Sequence, residues 1–133
     1  MASIFSKIIS GEIPCHKVAE NERCFAFLDI RPVVFGHTLV VPKQEIDYYF
    51  DLPDDYITAL NLFAKKIAHV LKQEVPCIRI GVMVAGLEVP HAHIHLIPMN
   101  SIAELSFTGS RPTFAQEEMA ALAQRLQDGY SKL

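Results

Sequence analysis

Residues 91–97, which read HAHIHLI, constrain the fold of this chain more than any other segment. Three of its six histidines fall here, at every second position. Successive side chains of a β-strand point to opposite faces, so a strand over 91–97 would place His91, His93 and His95 on one face. The apolar residues between them would fill the other face. The segment therefore predicts a strand in a half-buried sheet, with a core behind it and a row of imidazoles in front.

The rest of the chain alternates between patterns typical of strands and of helices. Strand-like runs cover Lys17–Glu20, Cys24–Asp29, His37–Val41 and Cys77–Ala85. Apolar residues at helical spacing predict a short helix over 4–9, a long helix over Asp51–Gln73 and a C-terminal helix after Gln116. These patterns predict an α+β protein with a five-stranded, largely antiparallel sheet, one long helix and one C-terminal helix. The length fits a single domain spanning 1–133.

Composition narrows the class of protein further. Twelve basic and fifteen acidic side chains give a formal net charge of -3, so no basic surface for nucleic acid is expected. The longest apolar run, near 80–87, is well below the roughly 20 residues of a membrane-spanning helix. Cys15, Cys24 and Cys77 are too widely spaced for a disulfide framework. We therefore expect a cytoplasmic protein with free thiols and with neither a nucleic-acid nor a membrane partner.

The residues alone leave three interpretations of the histidine row open. In the first, the imidazoles are incidental strand residues without a joint role. In the second they bind a metal, since imidazole is a common ligand of zinc and copper. In the third, one histidine is a nucleophile, because a neutral imidazole can attack phosphorus when its other ring nitrogen donates to a fixed acceptor.

Further segments accompany the histidine row, and together they resemble the histidine triad family. They are residues 4–14 (IFSKIISGEIP), 23–32 (RCFAFLDIRP), 36–43 (GHTLVVPK) and the long helix from Asp51. Their order and spacing are similar to those of the family over residues 1–98. The resemblance implies that the sheet and its helices form a fold like that of the family.

The resemblance also implies a nucleotide hydrolase or nucleotidyl transferase that acts at an α-phosphate. His93 would be the nucleophile that forms a nucleotidyl-imidazole intermediate, and His95 would contact the phosphate or the leaving group. His91 and His37 would support this geometry, and Asp29 would bind the ribose hydroxyls. The other implied nucleotide contacts are Glu88, Val89 and a base pocket lined by Ile4, Phe5, Ile8, Phe27, Leu28 and Ile30. The chemistry of the family requires no metal or other cofactor.

The segment before the histidine row departs from the family pattern. Many relatives carry an Asn and then Gly-Gln-Ser or Gly-Gln-Thr, whose polar groups contact the phosphate. This chain has Gly86, Leu87 and Glu88, with no equivalent of the Asn. A carboxylate beside a phosphate is repulsive unless it is protonated or turned away. Glu88 is therefore a proton donor to the leaving group, a contact for a cationic part of the substrate, or a solvated loop charge.

Other polar positions bear on the predicted site. Some bacterial relatives bind a structural zinc at positions near those of Ser3, Ser6 and Glu45. Two serines and a glutamate do not suit a closed zinc site, so no metal is predicted. Arg111 lies in a long polar loop over 99–112, where it is either a phosphate contact or a surface charge. It is left outside the predicted site.

The leading prediction is hydrolysis of adenosine phosphoramidates or related nucleoside phosphate conjugates. The alternatives are a dinucleoside polyphosphate hydrolase and a non-catalytic nucleotide-binding or regulatory protein. In each case the expected ligand is a purine nucleotide or a nucleoside phosphate conjugate. The resemblance also implies a homodimer, with two sheets joined edge to edge and the long helix near the interface.

Overall fold

One antiparallel sheet is the frame of the fold in the computed structural model, which describes residues 2–133. The strands are β1 (His16–Glu20), β2 (Cys24–Leu28), β3 (Thr38–Pro42), β4 (Arg79–Met83) and β5 (Ile94–Met99), in the spatial order β1-β2-β3-β5-β4. The α-helices are α1 (Ile4–Ser10), α2 (Asp54–Glu74) and α3 (Gln116–Ser131). All four strand pairings are antiparallel. The predicted α+β class and the five-stranded sheet with one long and one C-terminal helix are confirmed.

The alternation of side chains along β2 separates two hydrophobic clusters. Ala26 and Leu28 belong to the larger cluster, which α2 and α3 cover. Phe25 and Phe27 point to the opposite face, where Phe5 of α1 packs against them. The period of two along a strand therefore produces both cores from one short segment. The candidate site lies on the face that α1 covers.

The two long helices pack closely on their side of the sheet. Gly129 of α3 lies against Val70 of α2, and a Cβ at position 129 would come within 2.5 Å of Val70 Cγ1. The absence of a side chain at Gly129 allows the two helices to approach. Phe63 of α2 and Tyr130 of α3 add an edge-to-face contact, with ring centroids 5.7 Å apart.

Helix α2 begins later than the sequence predicts. A 3-10 turn, Tyr49–Asp51, precedes it, and Leu52 is extended with ψ 137°. The ring of a following proline disfavours the helical conformation, and Pro53 follows Leu52. The predicted start at Asp51 is therefore wrong, and the first helical residue is Asp54.

The strand that carries the histidine row is also shorter than predicted. β5 begins at Ile94, so His91 and His93 precede it. The backbone before this point bonds elsewhere, since the Ala92 N–H donates to the carbonyl of Ile46 at 2.7 Å. The alternation nevertheless persists, because Ala92 and Ile94 both lie in the larger core.

Strand β4 forms one edge of the sheet. It covers Arg79–Met83 within the predicted Cys77–Ala85. Ile80 packs against the larger core, whereas Ile78 and Val82, on either side of it, are 70% and 62% exposed. Part of the apolar face of this strand therefore has no cover within residues 2–133. None of the helices in that range is long and apolar enough to cross a membrane.

Candidate active site

A cavity of about 370 Å³ lies beside the start of β5, on the face of the sheet that α1 covers. Six residues of the predicted site line it, and they are Phe5, Asp29, Glu88, Val89, His93 and His95. These residues come from α1, from the end of β2, from the loop before β5 and from β5 itself. The fold thus assembles one concave site from segments that are far apart in sequence.

His93 has one ring nitrogen committed to the backbone. Its Nδ1 lies 2.7 Å from the carbonyl oxygen of His91. A carbonyl only accepts, so Nδ1 carries the hydrogen and Nε2 keeps its lone pair in the neutral ring. Burial lowers the pKa of His93, which favours that neutral ring at pH 7. An uncharged imidazole with a free Nε2 can act as a nucleophile.

His95 receives a hydrogen bond from a second imidazole. The backbone N–H of Val33 donates to His37 Nδ1 at 3.1 Å. His37 therefore carries its hydrogen on Nε2, which lies 2.9 Å from His95 Nδ1 and donates to it. In a neutral His95 the remaining hydrogen is on Nε2. Burial is the main cause that lowers the pKa of His37 and the pKa of His95, each to about 3, so both rings are neutral. His95 therefore presents an N–H donor on a ring that packs against His93, with ring centroids 4.8 Å apart.

His91 is fully buried and does not line the cavity. Its Nε2 donates to the carbonyl of Pro42 at 2.8 Å. Its Nδ1 then accepts a hydrogen bond from Ser3 Oγ at 2.7 Å. The edge of Phe5 packs near both His91 and His93, with ring centroids 5.7 and 5.0 Å apart. His91 is thus held from both ring nitrogens, and its own carbonyl holds His93.

A hydrogen-bonded cluster joins Ser3, Ser6 and Glu45, for which no zinc site was predicted. Glu45 Oε1 accepts from the Ser3 N–H and from Ser6 Oγ, each at 2.6 Å. These bonds, led by the one from the Ser3 backbone, lower the pKa of Glu45 to about 2. Ser3 Oγ in turn accepts from the Ser6 N–H at 3.0 Å and caps α1. The cluster links the start of α1 to His91.

Asp29 lies at the cavity wall next to the buried imidazole pair. Its Oδ1 accepts from the Arg31 N–H at 2.9 Å, and its Oδ2 is 3.6 Å from His37 Nε2. Within residues 2–133, Asp29, His37 and His95 are the one group of ligating side chains close enough to share a metal ion. Both ring nitrogens of His37 already have partners, so a metal there would displace one of these hydrogen bonds.

The comparison with known proteins identifies the family of the chain. The HIT domain family matches residues 10–102, a range that contains Asp29, His37 and the histidine row. The chain belongs to the histidine triad (HIT) family. An uncharacterized HIT-like protein of Methanocaldococcus jannaschii is 44% identical to it over 99 aligned positions, and the match covers 71% of this chain and 77% of that protein.

Two further relatives have names that state an activity or a ligand. Adenosine 5'-monophosphoramidase HNT1 of Saccharomyces cerevisiae is 40% identical over 98 residues, which are 73% of this chain and 62% of that protein. The crystal structure of a hypothetical histidine triad nucleotide-binding protein of Sulfolobus tokodaii has a TM-score of 0.86 at 26% identity, and the match covers 98% of this chain and 93% of that one. Together with the family match, these relatives support a nucleotide hydrolase at the level of the family.

The structure of this HIT protein corrects part of the predicted base pocket. Phe27 is buried against Phe5, with ring centroids 5.6 Å apart, and Ile8 packs on the same cluster. Leu28 does not belong there, because the alternation of β2 turns it into the larger core under α2 and α3. The prediction that Leu28 lines the pocket is therefore wrong. Two neighbours along a strand cannot both face one cavity unless the strand is distorted.

Two other predicted contacts lie at the surface of this HIT protein. Ile4 and Ile30 are 47% and 67% exposed and do not line the cavity. Their contact with a base stays a prediction. Val89 is half-buried against the small cluster and does line the cavity, whereas the Glu88 side chain is 65% exposed at its rim.

Arg111 was not part of the predicted site, but it lines the same cavity. Its side chain is only 12% exposed, and its Nη2 lies 3.6 Å from Glu88 Oε1. The sequence signal was a long polar loop after the histidine strand with an arginine in it. That signal could not place the guanidinium, because the course of a loop depends on long-range packing. In this HIT protein the loop folds back over the cavity.

Proposed function

We propose that this protein hydrolyses adenosine phosphoramidates or related nucleoside phosphate conjugates through a covalent nucleotidyl intermediate on His93. The observation that carries the proposal is the hydrogen bond from His93 Nδ1 to the carbonyl of His91, since it leaves the Nε2 lone pair free in a ring that lines the cavity. The relatives named adenosine 5'-monophosphoramidase support the same reaction class.

In the first step, Nε2 of His93 forms a bond to the α-phosphorus, and the bond from phosphorus to the leaving nitrogen breaks. The leaving amine takes a proton from solvent. The nucleotidyl-imidazole carries a positive charge, which the acceptor carbonyl at its Nδ1–H stabilises. Water then adds to phosphorus and releases a proton, the phosphorus–Nε2 bond breaks, and the nucleoside monophosphate leaves with neutral His93 restored.

The neighbouring groups have separate tasks in this scheme. His95 donates from Nε2 to a phosphate oxygen, because its Nδ1 is occupied as the acceptor from His37. Asp29 accepts from the ribose hydroxyls at the cavity wall, and Phe5 contributes an apolar surface for the base. The rings of His37 and His95 lose their charge on burial, so they add no fixed positive charge that would hold the product.

Turnover of adenosine 5'-phosphoramidate tests the proposal. We expect His93→Ala to abolish AMP release while AMP still binds, because the other residues that line the cavity remain. His16→Ala is the matched control, since His16 bonds to Gln116 outside the cavity and should leave turnover unchanged. Turnover by the His93→Ala variant at the wild-type rate would contradict the mechanism.

The same assay separates the alternatives. Faster cleavage of a diadenosine polyphosphate than of the phosphoramidate would identify the dinucleoside polyphosphate hydrolase. AMP binding without cleavage of either substrate would identify a non-catalytic nucleotide-binding protein. Wild-type protein that binds no nucleotide would contradict all three.

We also infer a homodimer that joins two sheets through β4. This strand lies at the sheet edge, and the exposed Ile78 and Val82 would be covered by a second copy. We expect light scattering to give the mass of a dimer, and Val82→Lys to weaken it. A wild-type monomer at micromolar concentration would contradict this inference.

We infer a cytoplasmic location for the protein. Cys15, Cys24 and Cys77 are all free thiols in the structure. Free thiols are typical of reducing compartments. Fractionation of the source cells would test this, and recovery with an oxidising compartment would contradict it.

A further inference from the structure

Within residues 2–133, one buried side-chain donor, the Nε of Arg111, has no hydrogen-bond partner. A buried donor left unpaired costs free energy, so such a group calls for an explanation. Arg111 lines the cavity that holds His93 and His95, so the explanation belongs to that site.

The guanidinium is held in place by groups other than a ligand. Its Nη1 donates to the carbonyl of Arg31 at 2.8 Å, and its Nη2 donates to the carbonyl of Phe107 at 3.1 Å. Its Cζ lies 5.3 Å from the ring centroid of Phe107. The same ring packs edge-on to His95, with centroids 4.6 Å apart. One aromatic side chain therefore positions both the guanidinium and the imidazole.

The charges around Arg111 leave it incompletely neutralised. Its nearest carboxylate is Glu88, at 3.6 Å from Nη2, and that side chain is 65% exposed. An ion pair with so exposed a partner is weak and easily exchanged for another anion. A guanidinium has five donors in a planar fork that matches the oxygens of a phosphate. Within residues 2–133, only two donors of Arg111 have short hydrogen bonds to the protein.

We propose that Arg111 binds the phosphate of the nucleotide ligand with its free donors, and that Glu88 is the anion that the phosphate displaces. The proposal rests on the proposed function. The cation comes from the loop after β5, held over the cavity by Phe107.

A tether for the loop is the competing role for Arg111. That role needs only the two bonds to backbone carbonyls, and it gives the buried Nε no function. A tether would affect binding of any ligand in the cavity, whereas a phosphate contact affects only ligands that carry a phosphate. AMP and adenosine differ by that group alone, so they separate the two roles.

Calorimetric titration of AMP and of adenosine provides the test. We expect Arg111→Gln to weaken AMP binding by about 10- to 100-fold, the range of a lost charge-assisted hydrogen bond. Adenosine binding should be unchanged, which also shows that the cavity is folded. Arg111→Lys should recover part of the loss, because it keeps the charge but not the planar fork. Arg125→Gln, which removes an equal charge outside the cavity, is the control.

The kinetic readout is kcat/KM for adenosine 5'-phosphoramidate, which should fall in parallel with AMP affinity. Unchanged AMP affinity in Arg111→Gln, or an equal loss for AMP and adenosine, would overturn the proposal for Arg111 and leave the proposed function intact. Wild-type protein that does not bind AMP would overturn both. Failure of the proposed function alone would appear as phosphate-selective AMP binding that depends on Arg111 without any turnover.

Discussion

Replacing Ser3 by alanine tests whether the hydrogen bonds around His91 hold the site to the fold. The hydroxyl of Ser3 accepts from the Ser6 N–H at the start of α1 and donates to His91 Nδ1. Ser3 is 7% exposed and His91 is 0% exposed, so water has little access to either group. Ser3→Ala removes both bonds without adding bulk.

The size of the effect follows from these two losses. Loss of a helix cap costs about 0.5–2 kcal/mol. The acceptor nitrogen of His91 is left buried and unpaired, which costs about 1–3 kcal/mol. We expect a fall of about 2–4 kcal/mol in the free energy of unfolding. For a chain of this size each kcal/mol lowers Tm by roughly 3–5 °C.

Urea unfolding followed by circular dichroism measures this loss. The protomer concentration must be equal for all variants, because association stabilises the folded state. Ser10→Ala is the matched control, since the Ser10 hydroxyl donates to the Lys7 carbonyl at the exposed end of the same helix. We expect less than about 0.5 kcal/mol from that variant. A loss below about 1 kcal/mol for Ser3→Ala, or equal losses for the two variants, would refute the reasoning.

Three further predictions concern packing, pH and charge. Gly129→Ala should destabilise the fold by about 1–3 kcal/mol in urea unfolding, because the new Cβ would overlap Val70; an unchanged midpoint would contradict it. Burial lowers the pKa of His37 and of His95 to about 3 from 6.5, so the unfolded chain binds more protons below pH 6.5. Stability should therefore fall from pH 6.5 towards pH 3, by up to about 1.4 kcal/mol per pH unit for each histidine, and constant stability between pH 7 and pH 5 would contradict this. Glu88→Gln should tighten AMP binding several-fold at low salt in calorimetry, because a negative charge leaves the cavity rim; weaker binding would show that the carboxylate assists the ligand.

Much of the fold could be predicted from local patterns. The apolar run over β2 and the alternation of the histidine segment indicated strands, and the apolar spacing of α2 indicated a long helix. These signals are local, because side-chain periodicity is a property of each element. The exact starts of α2 and β5 were not predicted. Helix α2 starts after Pro53, because Leu52 before it is extended, and β5 starts at Ile94, which pairs with Val40 of β3.

The walls of the candidate site were predicted only in part. Asp29, His93 and His95 do line one cavity, and His37 does support His95. Leu28 was assigned to the pocket although it follows Phe27 on the same strand and faces the other core. The resemblance to the family assigns roles to positions along the chain. It does not show which face of the sheet each of two neighbouring side chains occupies.

The order of residues in this chain was enough to indicate a sheet with imidazoles on one face and a core on the other. It was not enough to show that Arg111 returns to the cavity, that Ser3 holds His91, or that Val82 is left uncovered. Those three facts join residues that are distant along the chain, or depend on whether another element lies above a strand. Periodicity reports which way a side chain points relative to its own element, and only the packing of elements against one another determines what it meets there.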